Sequence, residues 1–128
     1  LVNLRRSFEG LLRRTGYNVY LQRRTNAYSG GDPVYSNRLE KHTVRSMVPS
    51  RGLAAEEQQD MEGVTHDSDR VFYFKHDVNP TAGDRIYEQV PTQPNQQVTW
   101  IIDAAEPKRF RNGRIEYWAV GASSETGK

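Results

Sequence analysis

Leu1, Leu4, Phe8, Leu11 and Leu12 recur at intervals of three and four, so they share one stripe of a helix, with Arg6 and Arg13 on the opposite face. The pattern predicts an amphipathic helix over about residues 2–15. Gly16 is expected to end it in left-handed backbone, and Arg13 and Arg14 in the last turn suit the negative end of the helix dipole. After Gly16 the period falls to two: Tyr17, Val19 and Leu21 alternate with Asn18, Tyr20 and Gln22, as in a strand with one buried face.

From Thr25 to Lys41 the chain is a mixture of Asn, Ser, Gly, Asp and Pro with scattered Tyr, which reads as a long loop over about 25–41. His42 to Val48 is read as a second strand, and Pro49 and Gly52 open a second long loop over about 49–60. Within it, Ala54 to Asp60 favours helix by propensity but has no apolar stripe to dock one. Loops of such length are usually functional or disordered.

The strand signal is strongest later, at Gly63 to His66, Val71 to Phe74, Arg85 to Glu88, Val98 to Asp103 and Ile115 to Val120. The turns between them are well marked: Asn79 to Asp84 combines a proline with a glycine, and Asn112-Gly113 is a pair favoured in tight reversals. Residues 123–128 read as a frayed tail. The expected fold is mainly β, a small antiparallel β-barrel over about 17–122 with an N-terminal amphipathic α-helix and long loops, in one domain spanning 1–128.

Composition narrows this only slightly. With 35% hydrophobic and 27% charged residues and a strongly negative mean hydropathy, the core must be small for 128 residues. Eighteen Lys and Arg against 16 Asp and Glu leave a net charge of +2, too little to mark a nucleic-acid binder by itself. Arg outnumbers Lys, which favours bidentate contacts with carboxylates at protein interfaces. The absence of cysteine rules out disulfides and thiolate chemistry and agrees with a reducing compartment. No run approaches the ~18 apolar residues of a membrane span, so a soluble protein with no membrane partner is expected.

The candidate chemistry is thin. His42, His66 and His76 with Asp67, Asp69 and Asp77 could ligate a metal, but they lack metal-site spacing and read more simply as solvated strand ends. Gly121 to Lys128 superficially matches a phosphate-binding loop with one residue too many between its glycines and no following helix. Without a nucleophile elbow or other catalytic motif, no enzyme, cofactor or metal is expected. The pairs Arg5-Arg6, Arg13-Arg14 and Arg23-Arg24 with Tyr17, Tyr20 and Tyr28 could form a nucleic-acid surface, although solvated faces or subunit contacts explain them more simply. Trp100, Tyr117 and Trp118 are expected in the core or an interface.

Val71-Phe72-Tyr73-Phe74, then DVNPTAGDRIYE at 77–88, then WIIDAAEPKRFRNGRIEYWAVGA at 100–122, resemble in order and spacing the head-to-tail stopper (head-closure) proteins of long-tailed bacteriophages. The resemblance covers about 17–24 and 61–122 and contains no catalytic residue. It implies a virion protein made in the host cytoplasm and placed at the head-tail neck. It also implies a homo-oligomeric ring of six or twelve, between a portal adaptor protein and a tail terminator or tail tube protein, with double-stranded DNA in the channel. Candidate contacts to neighbours are Arg5, Arg6, Arg13, Arg14, Arg23, Arg24, Tyr28, Tyr35 and Arg38. The resemblance also implies a loop that reaches into the channel and retains DNA, for which the candidates are 25–41 and 49–60, the latter containing Arg51, Glu56, Glu57 and Gln58. The rival expectation is a β-barrel module for single-stranded nucleic acid, with Tyr17, Tyr20, Arg23 and Arg24 on one exposed sheet face.

Overall fold

The structure is a computed structural model that describes residues 4–47, 68–88, 99–109 and 113–124. Helix α1 (Leu4–Thr15) is followed by β1 (Tyr17–Ser29), β2 (Asp32–Met47), β3 (Arg70–Lys75), β4 (Arg85–Tyr87), β5 (Thr99–Arg109) and β6 (Ile115–Ser124). All neighbouring strands are antiparallel, and the order β1-β2-β3-β6-β5-β4 closes on itself through the pairing of β4 with β1. The predicted barrel class, with one short N-terminal helix, is therefore the observed one.

The period-2 faces meet inside. Val19, Leu21, Val44, Phe72, Phe74, Ile86, Ile102, Val120 and Ala122 form one buried cluster with Trp100 and Val78, so the barrel is filled by side chains rather than hollow. Trp100 packs its edge on Phe72, and Trp118 lies against the cluster while donating its indole N–H to His76 O at 3.0 Å. Outside the barrel, α1 lies across β2, β3 and β6. Leu12 of the predicted stripe is 1% exposed, and Phe8 stacks on Tyr117 with ring centroids 5.1 Å apart. Tyr73 meets the same Tyr117 edge-on, and burial followed by the neighbouring Tyr117 pushes its phenol pKa up.

Three expectations are corrected. Residues 25–41 are not a loop: β1 runs to Ser29, Gly30 and Gly31 reverse the chain with φ of 60° and 89°, and β2 begins at Asp32. The sequence hides this hairpin because it extends past the barrel and has no core to bury a face against, so its strands carry no hydrophobic alternation. The tail begins later than 123, because Ser123 and Ser124 end β6 opposite Ile101 and Trp100. Gly16 does not adopt left-handed backbone. It is needed for close approach, since a Cβ there would stand 2.6 Å from Leu12 O and 2.9 Å from Val44 O. The second expected loop, 49–60, and the expected strand at 63–66 lie outside the described residues.

Candidate functional site

The β1–β2 hairpin forms an arm. Strand β4 is three residues long and pairs with β1 only at Tyr20, Leu21 and Gln22, while β3 pairs with β2 only at Arg45, Ser46 and Met47. Beyond those rungs, among the described residues, β1 and β2 pair only with each other. Arg24 to Ser29 alone spans about 20 Å at strand rise. Register shifts between Gln22 and Arg24 and between Arg24 and Tyr28 are bulges that increase twist and break up a flat edge.

The base of the arm is braced against the barrel. Arg85 lies over the Tyr35 ring at 4.0 Å, the Tyr35 hydroxyl donates to Gly83 O at 3.0 Å, and Gln22 Nε2 donates to Ser36 O at 2.9 Å. Tyr87 donates to Gln22 Oε1 at 3.0 Å, and Thr25 Oγ1 donates across the arm to Val34 O at 2.8 Å. These contacts hold the arm in one direction at its root.

An ionic network closes the barrel beneath the arm. Arg23 is bidentate to Glu40, through Nε at 3.0 Å and Nη2 at 3.2 Å, and also donates to the carbonyls of Val78 and Asn79. Asp84, 1% exposed, accepts from Arg24 N at 2.8 Å and Thr81 N at 3.1 Å, with the Arg23 guanidinium 3.5 Å away. The Arg23 hydrogen bond holds the Glu40 carboxyl below its usual pKa, helped by His42, whose Nε2 lies 3.1 Å from Glu40 Oε1. Asn79, at φ 51°, and Gly83, at φ 95°, turn the 76–84 segment over this end.

The opposite end carries a second network. The Tyr17 hydroxyl donates to Glu88 Oε2 at 2.7 Å and lies 2.8 Å from the Ser46 hydroxyl; Trp100 Nε1 donates to Glu88 Oε1 at 2.8 Å. Arg70 donates to Ser46 Oγ at 3.2 Å and sits 5.2 Å from the Trp100 ring centroid. Burial, reinforced by Glu88, pushes the Tyr17 phenol up to about 12 from 10.0. A tyrosine held neutral in the folded state stabilises it fully below pH 10, and that contribution is lost as pH rises through 12. Melts at about pH 9 and about pH 11 should show a decline on the order of 1 kcal/mol, damped because the side chain is only partly buried, that is smaller in Tyr17→Phe. An equal decline in Tyr17→Phe would show that Tyr17 is not its source.

The expected contact residues are scattered by this architecture. Arg13, Arg14, Arg24 and Arg38 are exposed, Arg13 and Arg14 on α1 and the other two on the arm. Arg5 is half-buried and donates from Nε to Ile115 O at 3.0 Å, and Arg6 is exposed beside it on α1. Arg23 is engaged in the ionic network and Tyr35 in the arm's root. Tyr28 stands opposite Pro33 on the arm, and its side chain lies outside the described residues. Arg51, Glu56, Glu57 and Gln58 also lie outside them. Tyr17 and Tyr20 point to opposite faces of β1, so Tyr17, Tyr20, Arg23 and Arg24 do not form the single exposed face expected of the rival module.

Sequence reading missed Asp84, Glu40 and Glu88. Asp84 carries a local signal, an acid closing a Pro-x-x-Gly turn whose side chain can accept from turn N–H groups. Glu40 and Glu88 carry none, since Arg23 and Tyr17, which bind them, are 17 and 71 residues away in sequence. A groove of ≈ 280 Å³ runs between α1 and the strands, lined by Glu9, Leu12, Arg13, Asn18, Thr43 and Lys75 among others. Among the described residues, no group of three or more His, Asp or Glu is placed to hold a metal ion. No family model matches the chain, and neither does any curated protein or solved structure.

Proposed function

We propose that the chain is a virion structural subunit that forms a ring of six or twelve at the head-tail neck. In this reading it joins the portal adaptor protein to the tail terminator or tail tube protein and helps retain packaged double-stranded DNA. The subunit does no chemistry; its barrel is scaffold and its arm is the contact element. The observation that carries the reading is the braced β1–β2 arm projecting from a filled, closed barrel. Such an arm can reach a neighbouring subunit, and a ring needs two different complementary patches on each subunit. The ordered resemblance of 71–74, 77–88 and 100–122 to stopper proteins supports the same reading.

Native mass spectrometry of the full chain, alone and with the portal and adaptor, tests it. The expected result is a closed assembly of six or twelve copies. Replacing residues 25–34 by Asn-Gly, a pair that closes a short hairpin, should leave a folded barrel that no longer assembles. A monomer under every condition, or rings that form equally well without the arm, would refute the proposed role of the arm.

A further inference from the structure

We propose that the outer face of α1 and the end of the β5–β6 hairpin together form the surface that meets the phosphate backbone of double-stranded DNA, an inference that rests on the connector reading above. Helix α1 carries Arg5, Arg6, Arg13 and Arg14 against the single acid Glu9. The described part of the hairpin end, Glu106 to Arg109 and Gly113 to Glu116, carries Lys108, Arg109 and Arg114 against Glu106 and Glu116. Seven cations against three carboxylates leave an excess of four, twice the +2 of the whole chain, so all other residues together sum to −2. The positive charge is therefore concentrated on these two elements.

They also form one surface. Arg5 Nε donates to Ile115 O at 3.0 Å, and Phe8 stacks on Tyr117, which fixes the first turns of the helix against the hairpin. Two of the three acids are already engaged: Glu116, 4% exposed, accepts from Arg114 Nε at 3.1 Å, and Glu106 pairs with Lys108 at 3.3 Å. Arg6, Arg13, Arg14, Arg109 and Arg114 are exposed. Six of the seven cations are Arg, whose planar fork matches phosphate oxygens.

A polyanion fits this surface better than a protein does. Protein interfaces draw on aromatic and other apolar anchors as well as on Arg, and among the described residues of these two elements no large apolar side chain is exposed. The arm is a poorer DNA surface, since residues 24–39 carry Arg24 and Arg38 against Asp32, an excess of one.

Fluorescence anisotropy with a labelled duplex of about 30 bp, titrated from about 50 to 200 mM salt, tests the inference. The native chain should bind with log K falling linearly against log salt. The Arg13→Ala/Arg14→Ala/Arg109→Ala variant should bind at least tenfold more weakly and lose between two and three from that slope, at ~0.9 per phosphate contact. Lys41→Ala, which removes an exposed cation of β2 away from both elements, should leave both values unchanged, and a melting curve confirms that each variant is folded. An unchanged slope in the folded triple variant, no duplex binding at the lowest salt, or tighter binding of a single strand of equal length would overturn the inference. Ring assembly is read separately by native mass spectrometry: rings without duplex binding would sink the inference alone, whereas loss of rings from the native chain would sink the connector reading.

Discussion

Asp84→Ala is expected to destabilise the fold by about 3 kcal/mol or more and to lower its melting temperature by ~10 °C or more. The carboxylate is 1% exposed and holds three partners: Arg24 N, Thr81 N and, at 3.5 Å, the Arg23 guanidinium. Truncation leaves two backbone donors without their acceptor and removes one of the two acids that face Arg23. It also weakens the hold of the 76–84 segment on β1, leaving the Arg23 bonds to the Val78 and Asn79 carbonyls and the Tyr35 bond to Gly83 O. Asp84→Asn keeps one carbonyl acceptor and should cost less than the alanine variant. Thermal denaturation followed by circular dichroism reads both; an alanine variant melting within about 2 °C of the native chain would contradict the role assigned to Asp84.

Gly16→Ala should cost about 2–3 kcal/mol although its backbone is not left-handed. The added Cβ would meet Leu12 O at 2.6 Å and Val44 O at 2.9 Å. Both are backbone atoms, one in the last turns of α1 and one in β2, and neither can swing aside as a flexible side chain can. The helix must move away from the sheet, which loosens the Leu12 and Phe8 contacts. Gly30→Ala provides the comparison: φ there is 60°, but nothing lies within 4 Å of its Cβ, so only the left-handed strain of about 1 kcal/mol applies. Chemical denaturation of the two variants should rank Gly16→Ala as the more damaging, and the reverse order would refute the close-approach explanation.

These two sites also mark where sequence was informative. The helix stripe, the alternation at Tyr17 to Leu21 and the apolar run Val71 to Phe74 were legible because each is buried against the core, and burial leaves a pattern. The arm was not legible, because strands paired only with each other, beyond the barrel, have no such constraint. Strand β5 was underestimated for a similar reason: above Ile102 it pairs only with β6 among the described residues, which lets it hold Pro107 opposite Trp118 where a central strand could not. Gly16 was correctly singled out for the wrong reason, since a close backbone approach between distant elements leaves the same letter in the sequence as a left-handed stop.

The candidate site was less legible than the fold. Arg23 was singled out as an outward contact, yet its guanidinium is spent on Glu40, Asp84 and two carbonyls. That arrangement depends on three chain segments converging, which no local pattern encodes. The concentration of cations on α1 and on residues 106–109 and 113–116 was present in the sequence, but these stretches are separated from α1 by about 90 residues, and only the closed barrel brings them together.

The connector reading is tested most directly by electron cryo-microscopy of intact virions at side-chain resolution. The predicted result is a ring of these barrels between the portal complex and the tail, with each β1–β2 arm lying on a neighbouring subunit. A neck with no copy of the chain in it would contradict the reading.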